Sequence, residues 1–169
     1  MATRLRLGVA EEAILDTQGN IALTYDALGR HEDALRLKRA VYSGRLKLVG
    51  QEHQDTLGAA LNYAVSLLGL KRDAEVKALL RKMMPVARRV LGEGHQTTLK
   101  MRKVYAKTLY FDEGSTLDDL REAVTTLEDT ERIARRVFGG AHPTTVDIGA
   151  ALREARAALR AREGAYPKK

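Results

Sequence analysis

Val49-Gly50-Gln51-Glu52-His53-Gln54-Asp55-Thr56-Leu57 is the stretch that decides the fold, because it comes back. It reappears 42 residues later as Leu91-Gly92-Glu93-Gly94-His95-Gln96-Thr97-Thr98-Leu99. A third copy, Phe138-Gly139-Gly140-Ala141-His142-Pro143-Thr144-Thr145-Val146, follows after another 47. One period before the first copy stand Leu7-Gly8, with Leu15 in the place of Leu57 and Leu99. Self-similarity at such a fixed period marks a solenoid, whose repeats each need a neighbour to bury an apolar face.

Between these joints the apolar residues recur at helical spacing, so the chain reads as all-α with about seven helices and no strands. The first pair spans roughly 11–28 and 32–48, with Ile14, Leu15, Ile21, Ala22, Tyr25 and Leu28 as the apolar set of its first helix. Gly29 suits the left-handed residue that ends a helix, as do the joint glycines. The second pair spans roughly 54–70 and 73–91, with Asp73 as N-cap and Pro85 expected to kink the segment at Arg81 to Met84. The third spans roughly 96–110 and 116–137, and holds the extra residues at Asp112-Glu113-Gly114-Ser115-Thr116. There Ser115-Thr116-Leu117-Asp118 reads as a capping box. A last helix, roughly 143–163, opens on Pro143. It carries Arg153 and Arg156 where earlier repeats have small or apolar residues, which suits a capping helix. Residues 1–9 read as the tail of an earlier helix ending at Gly8, as if the chain began within a longer array.

Helix pairs with Asn-apolar-Ala-x-x-apolar in the first helix (Asn20 to Tyr25, Asn62 to Leu67) resemble tetratricopeptide repeats. The period of 42, with apolar-Gly-x-x-His-x-x-Thr-Leu at the joints, looks like the longer repeat of kinesin light chains. The resemblance covers nearly all of residues 7–160. It implies a right-handed α-α superhelix: one array over 1–169, with repeats at about 11–50, 53–92 and 95–139 and a capping helix at 143–163. Departures from the family pattern are Lys38 in place of an aromatic, Val104 in place of the Asn, Pro85, and the insertion at 112–116.

Composition narrows the function. With 44% apolar and 30% charged residues the chain is a globular protein rather than a disordered one. No apolar run approaches 18 residues and the N-terminus lacks a signal-peptide core, so neither a span nor export is expected. The absence of cysteine excludes disulfides, thiolate metal sites and Cys nucleophiles, and fits a cytoplasmic protein. A net charge of +7 favours an anionic partner.

Chemistry finds little footing. Three of the four histidines, His53, His95 and His142, hold one repeat position, and His31 lies in a turn. Equivalent residues strung along a solenoid do not converge on a metal, so these read as helix-start residues. Neither HExxH nor GxxxxGK[ST] is present, and Gly92-Glu93-Gly94 follows a helix rather than a strand. The chain therefore reads as a non-enzyme without cofactor or metal.

Binding is the better candidate. The resemblance implies that the first helix of each pair lines a concave surface. It places that groove at Asp16, Asn20, Leu23 and Ala27, then Leu61, Asn62, Val65 and Leu68, then Lys100, Lys103, Lys107 and Tyr110, with Asp147 and Glu154 on the last helix. Spacing alone puts Lys100, Lys103 and Lys107 on one helix face. An extended peptide laid there could offer carboxylates to the lysines and backbone amides to Asn20 and Asn62. The expected function is a protein–protein interaction scaffold holding an acidic peptide segment, with sites at Asn20, Leu23, Leu61, Asn62, Val65, Lys100, Lys103, Lys107 and Tyr110. Two other readings compete with it. One is a structural subunit of a larger assembly. The other is nucleic acid held on the basic cluster Lys71, Arg72, Lys77, Arg81, Lys82, Arg88 and Arg89, though with two Phe, six Tyr and no Trp few stacking platforms exist for it.

Overall fold

The computed structural model describes residues 2–112 and 114–164, with side chains from Val9 onward. Seven helices and no strand occur among the described residues: α1 (Ala2–Ala27), α2 (His31–Val49), α3 (Gln54–Gly69), α4 (Asp73–Leu91), α5 (Gln96–Tyr110), α6 (Leu117–Phe138) and α7 (Pro143–Gly164). Two compact units divide the chain, residues 1–75 and 76–169.

In the first unit α1 packs on α2, and α2 on α3. Small residues set the approach. Ala22, Ala34, Ala60 and Ala64 are fully buried, and a Cβ on Gly44 would lie 2.5 Å from Leu15. Leu57 and Leu67 are also fully buried, each contributing about 2 kcal/mol by leaving water. Buried Thr56 ties the joint down by donating from Oγ1 to the Gly50 carbonyl at 2.7 Å. Lys38, the departure from an aromatic, is nearly buried and makes its own environment: Nζ pairs with Asp26 and donates to Ser66 Oγ at 2.7 Å. Burial pushes the Asp26 carboxyl up, but Lys38 and His31 outweigh it and hold the group below the usual carboxylate range. Arg45 is likewise buried, paired with Asp16 and with Asp55 at 3.4 Å.

The second unit is more thoroughly packed. On α4, Val76, Leu80, Met83 and Ala87 repeat at steps of four and three, and all are fully buried. Helix α5 packs against α6 and α7, and buries Leu99, Met101, Val104 and Leu109. Val104, the departure from Asn, is thereby a core residue. Leu127, Ile148 and Leu152 complete this core from α6 and α7.

Several expectations are corrected. Helix α1 runs unbroken through Gly8, so no earlier helix ends there. Of its expected apolar set only Ala22 is buried; Leu15 and Tyr25 are half-buried, and Ile14, Ile21 and Leu28 are 56%, 41% and 67% exposed. Asp73 is the first residue of α4 rather than its cap. The capping box forms one residue later than expected: Thr116 is the cap and Asp119 its reciprocal partner, while Ser115 is buried. The reason is register, since Asp118 faces solvent and Asp119 reaches back to the Thr116 amide at 2.9 Å. Pro85 lies inside α4, which is helical from Asp73 to Leu91 on both sides of it. The joint glycines conform, with φ of +72° at Gly29, +85° at Gly50, +90° at Gly92 and +83° at Gly139.

Candidate functional site

The repeated histidines prove to be helix caps. His53 Nδ1 accepts the amide of Asp55 at 3.3 Å, His95 that of Thr97 at 3.2 Å, and His142 that of Thr144 at 3.2 Å. An imidazole nitrogen here takes the role usually held by a Ser or Asp oxygen, satisfying one of the orphan donors of the first turn. Each orients the helix that carries candidate binding residues. No group of three or more His, Asp or Glu converges among the described residues.

In the first unit the candidate positions lie on α1 and α3, which both pack against α2. Asn20 and Asn62, one period apart, are exposed and have no side-chain hydrogen bond among the described residues. Beside them in sequence, Leu23 is 61% and Val65 47% exposed. Exposed aliphatic groups next to unsatisfied amides make a face that can take up an extended backbone. Leu61 is buried and Leu68 half-buried, so they support this face from beneath. Asp16 is engaged by Arg45.

In the second unit, α5 and α7 are clasped by two polar contacts with the same offset in sequence. Lys103 Nζ pairs with Asp147, and the Tyr110 hydroxyl donates to Glu154 at 2.9 Å. Tyr110 is buried, and burial followed by the Glu154 carboxylate pushes its phenol well above the ordinary range. Lys103 and Tyr110 therefore join two helices. Lys107 stands 5.5 Å from the centroid of the Phe111 ring, which is 58% exposed and stacks on Tyr110 at 4.8 Å. Lys100 is half-buried and has no carboxylate partner among the described residues. Phe111 was not anticipated from sequence. Its signal was the four-residue step from Lys107, which sets ring and ammonium on one face.

In the basic cluster of seven cations, Arg72 and Arg88 each have a carboxylate partner. Arg72 pairs with Glu75 and Arg88 with Glu93, both at 2.5 Å. Arg81 and Arg88 also border a cavity of about 320 Å³ with Pro85, Arg102, Tyr105 and Glu122. In it Arg102 is held by Asp129 at 2.6 Å. Paired in this way, Arg72 and Arg88 offer less to a phosphate than a free cation does. No helix of the described residues is long and apolar enough to cross a membrane.

Comparison with known proteins identifies the repeat fold. The family model for the tetratricopeptide repeat matches residues 14–55 and 56–97, two consecutive segments of the period seen in the sequence. Two crystal structures of a kinesin light chain-type protein of Podosopora anserina, built of nearly identical TPR-like repeats, superpose with TM-scores of 0.70 and 0.67. Both are 22% identical to the chain and align 89% of it with 69% of their own length. BtubC (BKLC) from P. vanneervenii superposes with a TM-score of 0.68 at 15% identity, over 94% of this chain and 68% of its own. No curated protein matches the chain in sequence.

Proposed function

We propose, from the premise that the chain belongs to the tetratricopeptide repeat family with repeats of the 42-residue kinesin light chain-like kind, that it is a non-catalytic scaffold holding an extended peptide segment. The reading takes residues 1–169 as one array and the cytoplasm as its place of work. A protein interaction module is what the repeat fold itself supports. The finer claim, an acidic peptide, rests on side chains.

The observation that carries it is the pair Asn20 and Asn62. Two amides at one repeat position, both exposed and both without a side-chain hydrogen bond among the described residues, can each donate to and accept from a peptide backbone. Leu23 and Val65 give that backbone aliphatic cover. The acidic preference rests on Lys100 and Lys107, the two ridge lysines without a carboxylate partner among the described residues, with Phe111 as an exposed aromatic beside Lys107. Lys103, neutralised by Asp147, contributes less to a ligand than its place in the ridge implies.

The test is selection of binders from a displayed library of extended peptides, followed by affinity measurement on the selected sequences. Asn20→Ala with Asn62→Ala removes two hydrogen-bonding groups at about 1 kcal/mol each, an expected loss of roughly thirtyfold. Lys100→Glu with Lys107→Glu should abolish a preference for Asp and Glu among the selected peptides. Binders indifferent to both double variants would refute the assignment.

A further inference from the structure

The cavity of about 320 Å³ bordered by α4, α5 and α6 lies where this part of the chain departs from the earlier repeats. One period earlier, the ring of Tyr42 stacks on Tyr63 with centroids 6.1 Å apart. The equivalents here are Met84 and Tyr105, which both line the cavity, so an unbranched thioether stands in place of a ring. Leu37 and Leu79, half-buried at their own repeat positions, are succeeded on α6 by Thr126, which lines the cavity too. A wall made elsewhere of a tyrosine and a leucine is thus made of thinner side chains. Room for one flat group remains beside Tyr105.

The charges of the lining set what such a group must carry. Three guanidiniums, of Arg81, Arg88 and Arg102, and the carboxylate of Glu122 border the cavity. Glu93 holds Arg88 at 2.5 Å and Asp129 holds Arg102 at 2.6 Å. Arg81 and Glu122 have no ion-pair partner among the described residues, and Glu122 Oε1 accepts only the Tyr105 hydroxyl, at 3.2 Å. Each senses the charge of the other, yet the two do not close into a pair. A cation and a carboxylate held apart on one lining are the complement of a zwitterion. Pro85 adds an acceptor at the same wall, because it has no N–H to offer the Arg81 carbonyl. A purely anionic ligand is matched less well, since it would also meet Glu122.

We propose that this cavity binds a free amino acid with an aromatic side chain. Its carboxylate pairs with Arg81, and its ammonium with Glu122 and the Arg81 carbonyl. Its ring lies against Tyr105 and the Met84 sulfur. A volume of about 320 Å³ is at the small end of ligand sites, which suits a molecule of about a dozen non-hydrogen atoms. Arg81 and Glu122 are both exposed, so their ion pairs are weak and a Kd on the order of 1 mM is expected. None of these residues is among those offered to a peptide backbone, so loss of one binding activity leaves the other.

NMR titration of the isotope-labelled full chain tests this, with L-phenylalanine set against phenylacetate, phenethylamine and L-alanine. These lack the ammonium, the carboxylate and the ring in turn, and each loss should weaken binding about threefold to fivefold. Arg81→Gln should bring L-phenylalanine down to the affinity of phenethylamine, and Glu122→Gln to that of phenylacetate. Both positions are exposed, so helical circular dichroism should not change. Thr126→Leu, which restores the residue of the earlier repeats, should fill the cavity and remove binding. L-Phenylalanine that shifts no cavity resonance by about 20 mM overturns the proposal. So does L-phenylalanine that binds no tighter than the three lesser compounds, or binding that is indifferent to Arg81→Gln and Glu122→Gln.

Discussion

If His53, His95 and His142 act by accepting one amide each, their loss should cost what a lost cap costs and no more. Replacement by Ala leaves an orphan N–H at the start of α3, α5 or α7, a penalty of about 1 kcal/mol per site. In a chain of this length that is roughly 2–4 °C of melting temperature each. Replacement by Asn, whose side-chain oxygen can accept the same amide, should be neutral at His53 and His95. His142 differs, because its ring also stacks on Phe138 with centroids 4.7 Å apart and planes at 22°. There Asn should recover the cap but still lose about 0.5–1 kcal/mol of ring contact. Urea unfolding followed by circular dichroism measures all six variants, with the denaturant slope checked for constancy. If His53→Asn and His95→Asn cost as much as the alanines, the rings do something other than cap. Single losses near 3 kcal/mol would likewise refute the cap as the main role.

Two further outcomes follow from the backbone and the charges. Gly92→Ala should destabilise by about 1–2 kcal/mol, since φ is +90° while the added Cβ meets nothing within 4 Å, making the cost one of conformation alone; a neutral result in urea unfolding would count against the left-handed joint. Asp129 is held below the usual carboxylate range by the hydrogen bonds from Arg102 and Arg132, so its contribution is present above the unfolded pKa near 4 and is lost as pH falls through the lower folded value. Asp129→Asn should therefore be less stable than wild type at about pH 6, with the gap closing toward about pH 2.5 in unfolding experiments at stepped pH.

Helix number, type and joints were legible because a returning motif supplies the same local evidence several times over. Each joint carries a glycine where φ must be positive, a histidine where an amide needs an acceptor, and a threonine that turns inward, followed by the buried Leu57 and Leu99 at the first two joints and by the exposed Val146 at the third. Even the departures were visible by contrast, as with Lys38 and Val104. Their consequences were not, since nothing local says that Lys38 finds Asp26 and Ser66, or that Val104 sits inside a helix covered by its neighbours.

The candidate site divides along the same line. Spacing placed Lys100, Lys103 and Lys107 on one face, and they are helix neighbours. Which of them stays available depends on carboxylates 44 residues away, Asp147 for Lys103 and Glu154 for the adjoining Tyr110. Sequence alone thus determined the periodic scaffold, because backbone preference, capping and apolar spacing act over one or two turns. Tertiary structure alone decided which side chains are buried, paired or free, because those are properties of surfaces brought together across the chain. Ile14 and Thr56 occupy one repeat position, and only the packing around each makes one a surface residue and the other part of the core.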